Sequence, residues 1–306
     1  MDFRHLTLPS LQRAFKHALT QRTLLALLVV LLVAGCSSTK LAYRYADWGI
    51  VWWVEDYITL TGDQKQQLNR DIETLRQWHC SAELPRYRTW LDELEADVAK
   101  GPPSETTVAY HQEQVFDFFP SLLQQATPVA VNLLSSLSDE QVRELATNME
   151  ESQQDMEQEF LADSPQATAE ARAERTTERV ERWLGDLNED QHNIVQDWSA
   201  SRGSQTEIWL QGRRNWQLAL LDVLEHRSEP TFPQQLEALI LNSEKVRGEA
   251  YQAMMRESRV AMAELMHELI EAGDRTTLTH LQGRAEELNS DFKTLSCAPD
   301  PEVAGG

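Results

Sequence analysis

Leu60-Thr61-Gly62-Asp63-Gln64 is the first of three similar boxes, and each is followed by an amphipathic run. The other two are Leu137-Ser138-Asp139-Glu140-Gln141 and Leu187-Asn188-Glu189-Asp190-Gln191. The short polar residue can cap a helix, the acidic residues suit the positive end of the helix dipole, and the glutamine can reach back to the cap. The boxes therefore predict three helix starts. Their unequal intervals do not match a regular solenoid repeat.

Apolar residues behind the boxes recur at intervals of three and four, the period of an amphipathic helix. One series runs from Leu84 through Leu91 to Val98, and Gly101-Pro102-Pro103 stops it because proline cannot donate a backbone hydrogen bond. No stretch shows the period of two that is typical of a half-buried β-strand. The sequence therefore predicts an all-α, multi-helix bundle with coiled-coil-like seams, an elongated arrangement being one option.

Prolines and glycines predict where individual helices end. Pro120 and Pro128 predict a kinked or broken helix pair. One long helix is predicted from Asp190 to Leu224, and a last helix from about Arg275 to Leu295.

The same signals predict the domain organisation. We expect one all-helical domain over residues 43–295, followed by a flexible tail over 296–306 that is rich in Pro and Gly. The polar, Ala-rich stretch 163–172 around Pro165 is the best candidate for a linker or helix break, and so for a sub-boundary.

A helix rich in aromatic residues is predicted over Tyr43–Ile58. The rings of Trp48 and Trp52 share one face, and Trp53 lies one step round. These rings suit either an aromatic belt at lipid head groups or a core helix. We favour the core helix, because Trp-rich helices in soluble folds usually point inward.

The amino-terminal segment has the pattern of a secretory signal. Four basic residues precede an uncharged apolar run over residues 24–34, which is too short to span a bilayer comfortably. The run ends in Val33-Ala34-Gly35-Cys36, which resembles the lipobox of bacterial lipoproteins. A single-pass anchor or a buried apolar helix is the alternative interpretation.

The lipobox resemblance implies that residues 1–35 are a signal peptide, that Cys36 carries acyl groups including palmitate, and that residues 36–42 are a lipidated tether. Ser37 follows the cysteine, where aspartate would indicate a different sorting, and this points to the outer membrane. We therefore expect a protein anchored by lipid to the periplasmic face of the outer membrane.

The charge balance excludes one class of partner. The chain carries a formal net charge of −21, and removal of residues 1–35, with a net charge of +3, leaves −24. Such a surface is repelled by nucleic acid, so no nucleic-acid partner is expected. A hydrophobic content of 41% with nine Trp excludes wholesale disorder.

Two further cysteines, Cys80 and Cys297, follow the lipobox. In an oxidising periplasm they predict a disulfide between the first third of the chain and its tail. Two free buried thiols are the alternative.

Basic and aromatic residues cluster twice in an otherwise acidic chain. They could converge on an anionic ligand such as a glycan carboxylate, a phosphate or a lipid head group, because arginine offers a planar fork and stacks on rings. The alternative, which we favour, is that the arginines pair with carboxylates and pack their stems on Trp. The clusters comprise Arg175, Arg179, Arg182 and Trp183, and then Trp209, Arg213, Arg214 and Trp216.

No catalytic motif is present. The sequence has no phosphate-binding glycine loop and no nucleophile elbow, and its histidines lack the i,i+4 spacing of a helical zinc site. We therefore expect no catalytic residue, no cofactor and no metal, and a protein that is not an enzyme.

Two family resemblances follow from these residues. The three boxes are similar to the LTxxQ motif of small periplasmic all-helical stress chaperones, which are much shorter than this chain. Most of residues 36–295 resembles an uncharacterised family of helical lipoproteins from Gram-negative bacteria. The features that carry this second resemblance are Tyr43–Tyr57, Leu60–Gln64, Leu84-Pro85-Arg86-Tyr87 with Leu91 and Leu94, and Arg179 through Trp183-Leu184-Gly185-Asp186-Leu187 to Gln191.

The second resemblance implies an all-helical envelope lipoprotein but no known activity, catalytic residue or ligand. We expect a structural or protein-interaction role with an unidentified envelope protein as partner. A periplasmic holdase is the first alternative, and a cell-wall or lipid-modifying enzyme is the least supported one.

Overall fold

All three boxes start a helix in the computed structural model, which describes residues 38–297. Thr61, Ser138 and Asn188 each accept a hydrogen bond from the backbone N–H three residues on, and the glutamine at that position accepts one from the backbone N–H of the cap. These reciprocal bonds satisfy donors that a helix start leaves unpaired. The prediction of three capped helix starts is confirmed.

The fold is all-α, as predicted, and residues 38–297 contain no β-strand. A π-helical turn, His79–Glu83, joins α3 to α4. The helices are α1 (Ser38–Arg44), α2 (Ala46–Glu55), α3 (Gly62–Trp78), α4 (Leu84–Val98), α5 (Glu105–Phe116), α6 (Phe119–Ser135), α7 (Asp139–Phe160), α8 (Pro165–Leu184), α9 (Glu189–Ser201), α10 (Gln205–Glu225), α11 (Phe232–Leu241), α12 (Ser243–Arg247), α13 (Glu249–Glu271) and α14 (Arg275–Leu295).

The described residues fall into two units. The first ends at Tyr45 and contains α1, and the second begins at Ala46. Within residues 38–297, no helix combines the length and the apolar character needed to cross a membrane. The predicted signal peptide, Cys36 and all but the first two residues of the predicted tail lie outside the described residues.

The second unit contains two hydrophobic cores. The α3–α10 core is formed by α3, α7, α10 and α11 and includes Leu68, Leu145 and Leu224. The α4–α14 core is formed by α4, α8, α9, α13 and α14 and includes Leu91 and Val195, which are fully buried. Each such side chain contributes about 1.5–3 kcal/mol when taken out of water. The continuous rod α3–π turn–α4 connects the two cores.

One predicted helix is divided in the structure, and one predicted break is shorter than expected. The expected single helix from Asp190 to Leu224 is divided at residues 202–204, where Gly203 has a φ of +51°, because a positive φ ends an α-helix. The linker or helix break expected over 163–172 takes the form of a short break at residues 161–164, because Ser164 caps α8 at Pro165 and the remainder of the stretch is helical. The broken pair around Pro120 and the last helix agree with prediction, whereas Pro128 lies inside α6 and does not end it.

The preferred inward orientation of the Trp-rich helix is also wrong. Trp48, Trp52 and Trp53 are 68%, 59% and 60% exposed. Val51 and Val54 pack on the α3–α10 core instead. Val51 and Val54 form a second stripe with helical spacing. Their side chains are smaller than those of the Trp residues, so this side of α2 can pack closer to α3.

Cys80 and Cys297 are joined by a disulfide, with their Cα atoms 5.2 Å apart. Cys80 lies in the π turn, and the backbone N–H of Cys297 donates to its carbonyl. Because α14 packs along α4, the bridge fixes the end of α14 to the junction between the two cores.

Candidate functional site

An apolar cavity of about 540 Å³ enters the α3–α10 core from the surface. Helices α2, α3, α6, α7 and α10 form its walls. Buried side chains such as Leu68 and Met149 line its inner part, whereas Ile50 and Trp53, which are exposed, line its mouth. A concave, apolar and preformed space of this size is typical of a site for a small ligand.

Arg213 provides one of the two cations of the cavity. Its guanidinium donates to the Gln153 side chain at 2.7 Å and to the Ser152 hydroxyl at 2.9 Å. The Tyr57 hydroxyl lies 3.0 Å from the same Ser152 oxygen. These partners are neutral, so they orient the guanidinium without cancelling its charge.

Arg247 provides the second cation. Its guanidinium lies over the ring of Trp216, 6.0 Å from the centroid, and over that of Tyr251 at 5.1 Å. Trp216 itself lines the cavity, and its enclosed indole N–H has no hydrogen-bond partner among the described residues. The basic end of the cavity therefore has spare hydrogen-bond donors and positive charge.

Gly212 allows the Tyr251 ring to lie against α10. A Cβ built on Gly212 would come within 2.4 Å of that ring. Because Tyr251 also contacts Arg247, the missing side chain at position 212 indirectly fixes the second cation.

The exposed face of α2 continues outward from the cavity mouth. Trp48 stacks on Trp52 with ring centroids 6.4 Å apart, and Trp53 contacts Tyr57 edge-on at 5.6 Å. We call Trp48, Trp52 and Trp53 the aromatic face. Val51 and Val54 pack α2 against the α3–α10 core and leave this face exposed.

The predicted basic and aromatic clusters do not converge on one site. Arg175 lies over the Phe160 ring at 4.6 Å, and Trp209 contacts the same ring at 5.3 Å. Arg214 pairs with Glu150 at 2.9 Å. Trp183 packs against the α4–α14 core, Arg179 and Arg182 are exposed, and Arg213 and Trp216 line the cavity.

Sequence reasoning missed Arg172 and Arg247. Arg172 is buried, and it donates to the Ser199 carbonyl at 2.9 Å and to the Thr206 hydroxyl at 2.9 Å, so it ties α8 to α9 and α10. Burial lowers the pKa of its guanidinium, and Glu207 opposes this. Arg172 has a structural role, whereas Arg247 faces the cavity. No motif distinguishes either residue from the other arginines.

Metal ligands do not converge within residues 38–297: no three His, Cys, Asp or Glu side chains form a group that could hold an ion. His111 illustrates the pattern, since its Nε2 lies 3.1 Å from one Asp97 oxygen while the other Asp97 oxygen pairs with Lys100. Lys100 is the main cause of a lowered pKa at Asp97.

Comparison with known proteins identifies a family but no characterised relative. Residues 56–252 match a family described as "Family of unknown function (DUF6279)". No curated protein matches the chain, and no solved structure matches it. The matched span contains Arg213, Arg247 and most of the cavity wall, and it ends within α13.

Proposed function

The chain belongs to the DUF6279 family of unknown function, and from that premise we propose that it is a lipoprotein of Gram-negative bacteria, anchored to the periplasmic face of the outer membrane. Its proposed role is non-enzymatic: a structural or protein-interaction role in the cell envelope. The observation that carries the proposal is the aromatic face, which is exposed on α2, shortly after Cys36 in sequence.

The aromatic face suits a position at a membrane surface. Trp rings are amphipathic and concentrate at the level of lipid head groups. Several acyl chains on Cys36 would give stable anchoring, and adjacent Trp rings would add contact with the interface. The net charge of −21 keeps the rest of the chain away from anionic lipid. The expected result is a bundle that sits close to the bilayer with α2 towards it.

The non-enzymatic part of the proposal rests on the chemistry of the cavity. Its polar lining side chains are Tyr57, Arg213, Trp216, Gln217 and Arg247. Arginine stays protonated in proteins, and Trp and Gln do not act as acids or bases near neutral pH. These residues can bind and orient a ligand, but they include neither a carboxylate nor a histidine for proton transfer.

The anchor can be tested by metabolic labelling with an alkyne fatty acid in a Gram-negative host. We expect the full chain to incorporate the label and to fractionate with the outer membrane. Cys36→Ala should abolish labelling, whereas the double variant Cys80→Ser with Cys297→Ser, which removes the other two cysteines, should retain it. Equal labelling of Cys36→Ala would contradict the proposal.

The aromatic face can be tested in the same protein after reconstitution into vesicles that contain brominated phosphatidylcholine, which quenches Trp fluorescence on contact. Replacing Trp48 and Trp52 by Phe should remove most of the quenchable fluorescence. Trp183→Phe, against the α4–α14 core, should leave the quenchable part unchanged. If Trp183→Phe removed the quenchable fluorescence and the Trp48 and Trp52 replacements did not, α2 would not face the lipid.

The interaction role can be tested by crosslinking in cells. A specific envelope partner should be recovered with the full chain and lost when Trp48 and Trp52 are replaced by Ser or when Cys36 is replaced by Ala. No specific partner, together with turnover of an envelope substrate by the purified protein, would instead favour the lipid- or wall-modifying alternative.

A holdase is the second candidate, and the apolar cavity beside the aromatic face is the observation that favours it. The glutamines of the three boxes do not add to it, since Gln64, Gln141 and Gln191 are buried and bonded inside the fold. A holdase should slow the aggregation of an unfolded client, and Trp48→Ser with Trp52→Ser should weaken that effect. No protection of any client would remove this candidate.

A further inference from the structure

The apolar cavity has room for one alkyl chain. Its volume is about 540 Å³. Taking a methylene group to need about the room of one water molecule, roughly 30 Å³, the cavity holds a single chain of about 16 to 18 carbons. Two such chains would need about twice that space, so a single-chain molecule is the better fit.

The walls select for hydrocarbon. Leu68, Ile72 and Leu145 are buried core residues, and they face the cavity together with side chains of α6 such as Ala130 and Leu133. An apolar space of this kind holds water poorly, because it offers few hydrogen-bond partners. An alkyl chain entering it loses contact with water and fills packing space at the same time.

The basic end selects for an anion. Neither Arg213 nor Arg247 has a carboxylate within salt-bridge distance in the described part of the chain, although acidic residues outnumber basic ones by 49 to 28. Arg214, the next residue on α10, does have one in Glu150. Arg213 and Trp216 lie three positions apart on α10 and therefore share a face. Both arginines thus adjoin Trp216, whose indole N–H lacks an acceptor.

We propose that the cavity binds a long-chain fatty acid, with the alkyl chain against the apolar walls and the carboxylate beside Trp216. Arg213 and Arg247 supply the opposite charge, since guanidinium and carboxylate groups form strong, directional hydrogen bonds. The inference goes beyond the proposed function, and it does not depend on how the chain is anchored.

A photoreactive fatty acid tests the site in the full chain. Total lysates of cells that produce the full chain are incubated with hexadecanoate bearing a diazirine in its chain, irradiated and digested, and the crosslinked peptides of the protein are identified by mass spectrometry. We expect crosslinks to α6 and α10 residues of the cavity wall. Excess hexadecanoate should suppress them at least tenfold more effectively than hexadecanol, which has the same chain without the charge.

Variants separate the head-group site from the walls. Arg213→Gln and Arg247→Gln should each reduce the cavity crosslinks at least tenfold, whereas Arg214→Gln, the adjacent paired arginine, should change them less than twofold. Ala130→Phe, which fills the cavity from its α6 wall, should also abolish them. Because Arg213 bonds to the buried Gln153, circular dichroism must show that each variant folds; if Arg213→Gln does not, Arg247→Gln and Ala130→Phe decide the outcome.

Three results would overturn the proposal. The first is the absence of cavity crosslinks in the wild-type chain, or their restriction to the aromatic face. The second is equal competition by hexadecanol. The third is labelling of the cavity only in Cys36→Ala, which would assign the space to the acyl chain of the protein itself. A failed anchor test with intact cavity crosslinks would remove the proposed function and leave this inference standing.

Discussion

Gln64 and Gln141 exchange side-chain amide hydrogen bonds of 2.7 and 3.1 Å, although they are 77 residues apart in the chain. Each amide oxygen also accepts the backbone N–H of its own helix cap, Thr61 or Ser138, at 3.0 Å. The same two side chains therefore cap the starts of α3 and α7 and join these two helix starts to each other.

Replacing Gln64 by Ala should destabilise the protein by about 1–3 kcal/mol, because the buried Gln141 amide then loses a partner. The free energy of unfolding from urea titration provides the measurement. Gln66→Ala on the exposed side of α3 should cost less than about 0.5 kcal/mol. The double variant with Gln141→Ala should lose less than the sum of the single losses, since the two amides act as one unit. Strict additivity would show that the pair contributes only through its separate caps.

Removing the disulfide by Cys80→Ser with Cys297→Ser should destabilise the protein by about 2–5 kcal/mol, because the bridge restricts a long loop in the unfolded chain. Thermal unfolding with and without a reductant gives the comparison. The wild-type protein in reductant should unfold at the same temperature as the double variant. If both thiols are alkylated in the folded, unreduced protein, the bridge does not form under those conditions.

Gly212→Ala should destabilise the protein by about 1–3 kcal/mol, since the added methyl group would overlap the Tyr251 ring. Gly283→Ala is the matched control, because Gly283 is an exposed position of α14 and nothing lies within 4 Å of the added carbon. There the gain in helix propensity should stabilise by about 0.5–1 kcal/mol. Equal effects of the two substitutions would mean that Tyr251 moves aside freely.

His79 should make stability sensitive to mild acid. Burial lowers the pKa of its imidazole below the usual value of about 6.5, and Glu83 partly opposes this. The folded state therefore favours neutral His79. The contribution of neutral His79 to the free energy of unfolding is complete above the pKa that His79 has in the unfolded chain. It is lost as the pH falls through the lower pKa of the folded state.

His79→Gln tests this by removing the titrating group. The free energy of unfolding, measured at several pH values from 8 down to 5, should fall less steeply in His79→Gln than in the wild type. Parallel curves below pH 6.5 would assign the acid sensitivity to other groups.

The helix starts could be predicted from sequence because capping is local. Thr61 and Gln64 are three residues apart, and their bond closes within one turn. The partner of Gln64 in the α3–α10 core could not be predicted, because it depends on how two distant helices pack. The cavity is hidden from sequence for the same reason, since its walls come from five helices and its second cation, Arg247, from a sixth.

The orientation of α2 shows the limit of periodicity. Trp48 and Trp52 follow helical spacing, but so do Val51, Val54 and Ile58. Periodicity identifies two stripes without deciding which one is buried. Which stripe of α2 is buried depends on the room left beside α3, and that room is defined only once the helices have packed.

The packing of α14 on α4 makes the α4–α14 core the later of the two cores to be completed as the chain is synthesised. The α3–α10 core has all of its buried residues once Leu239 is available, whereas the α4–α14 core lacks Leu281 and Ala285 until the final helix arrives. Because the chain is synthesised from its amino terminus, the α3–α10 core can fold early. Leu91 and Leu94 then remain without their α14 partners until the last helix is made. A chain truncated before α14 would therefore keep a complete α3–α10 core. Its α4–α14 core would expose apolar side chains that favour aggregation.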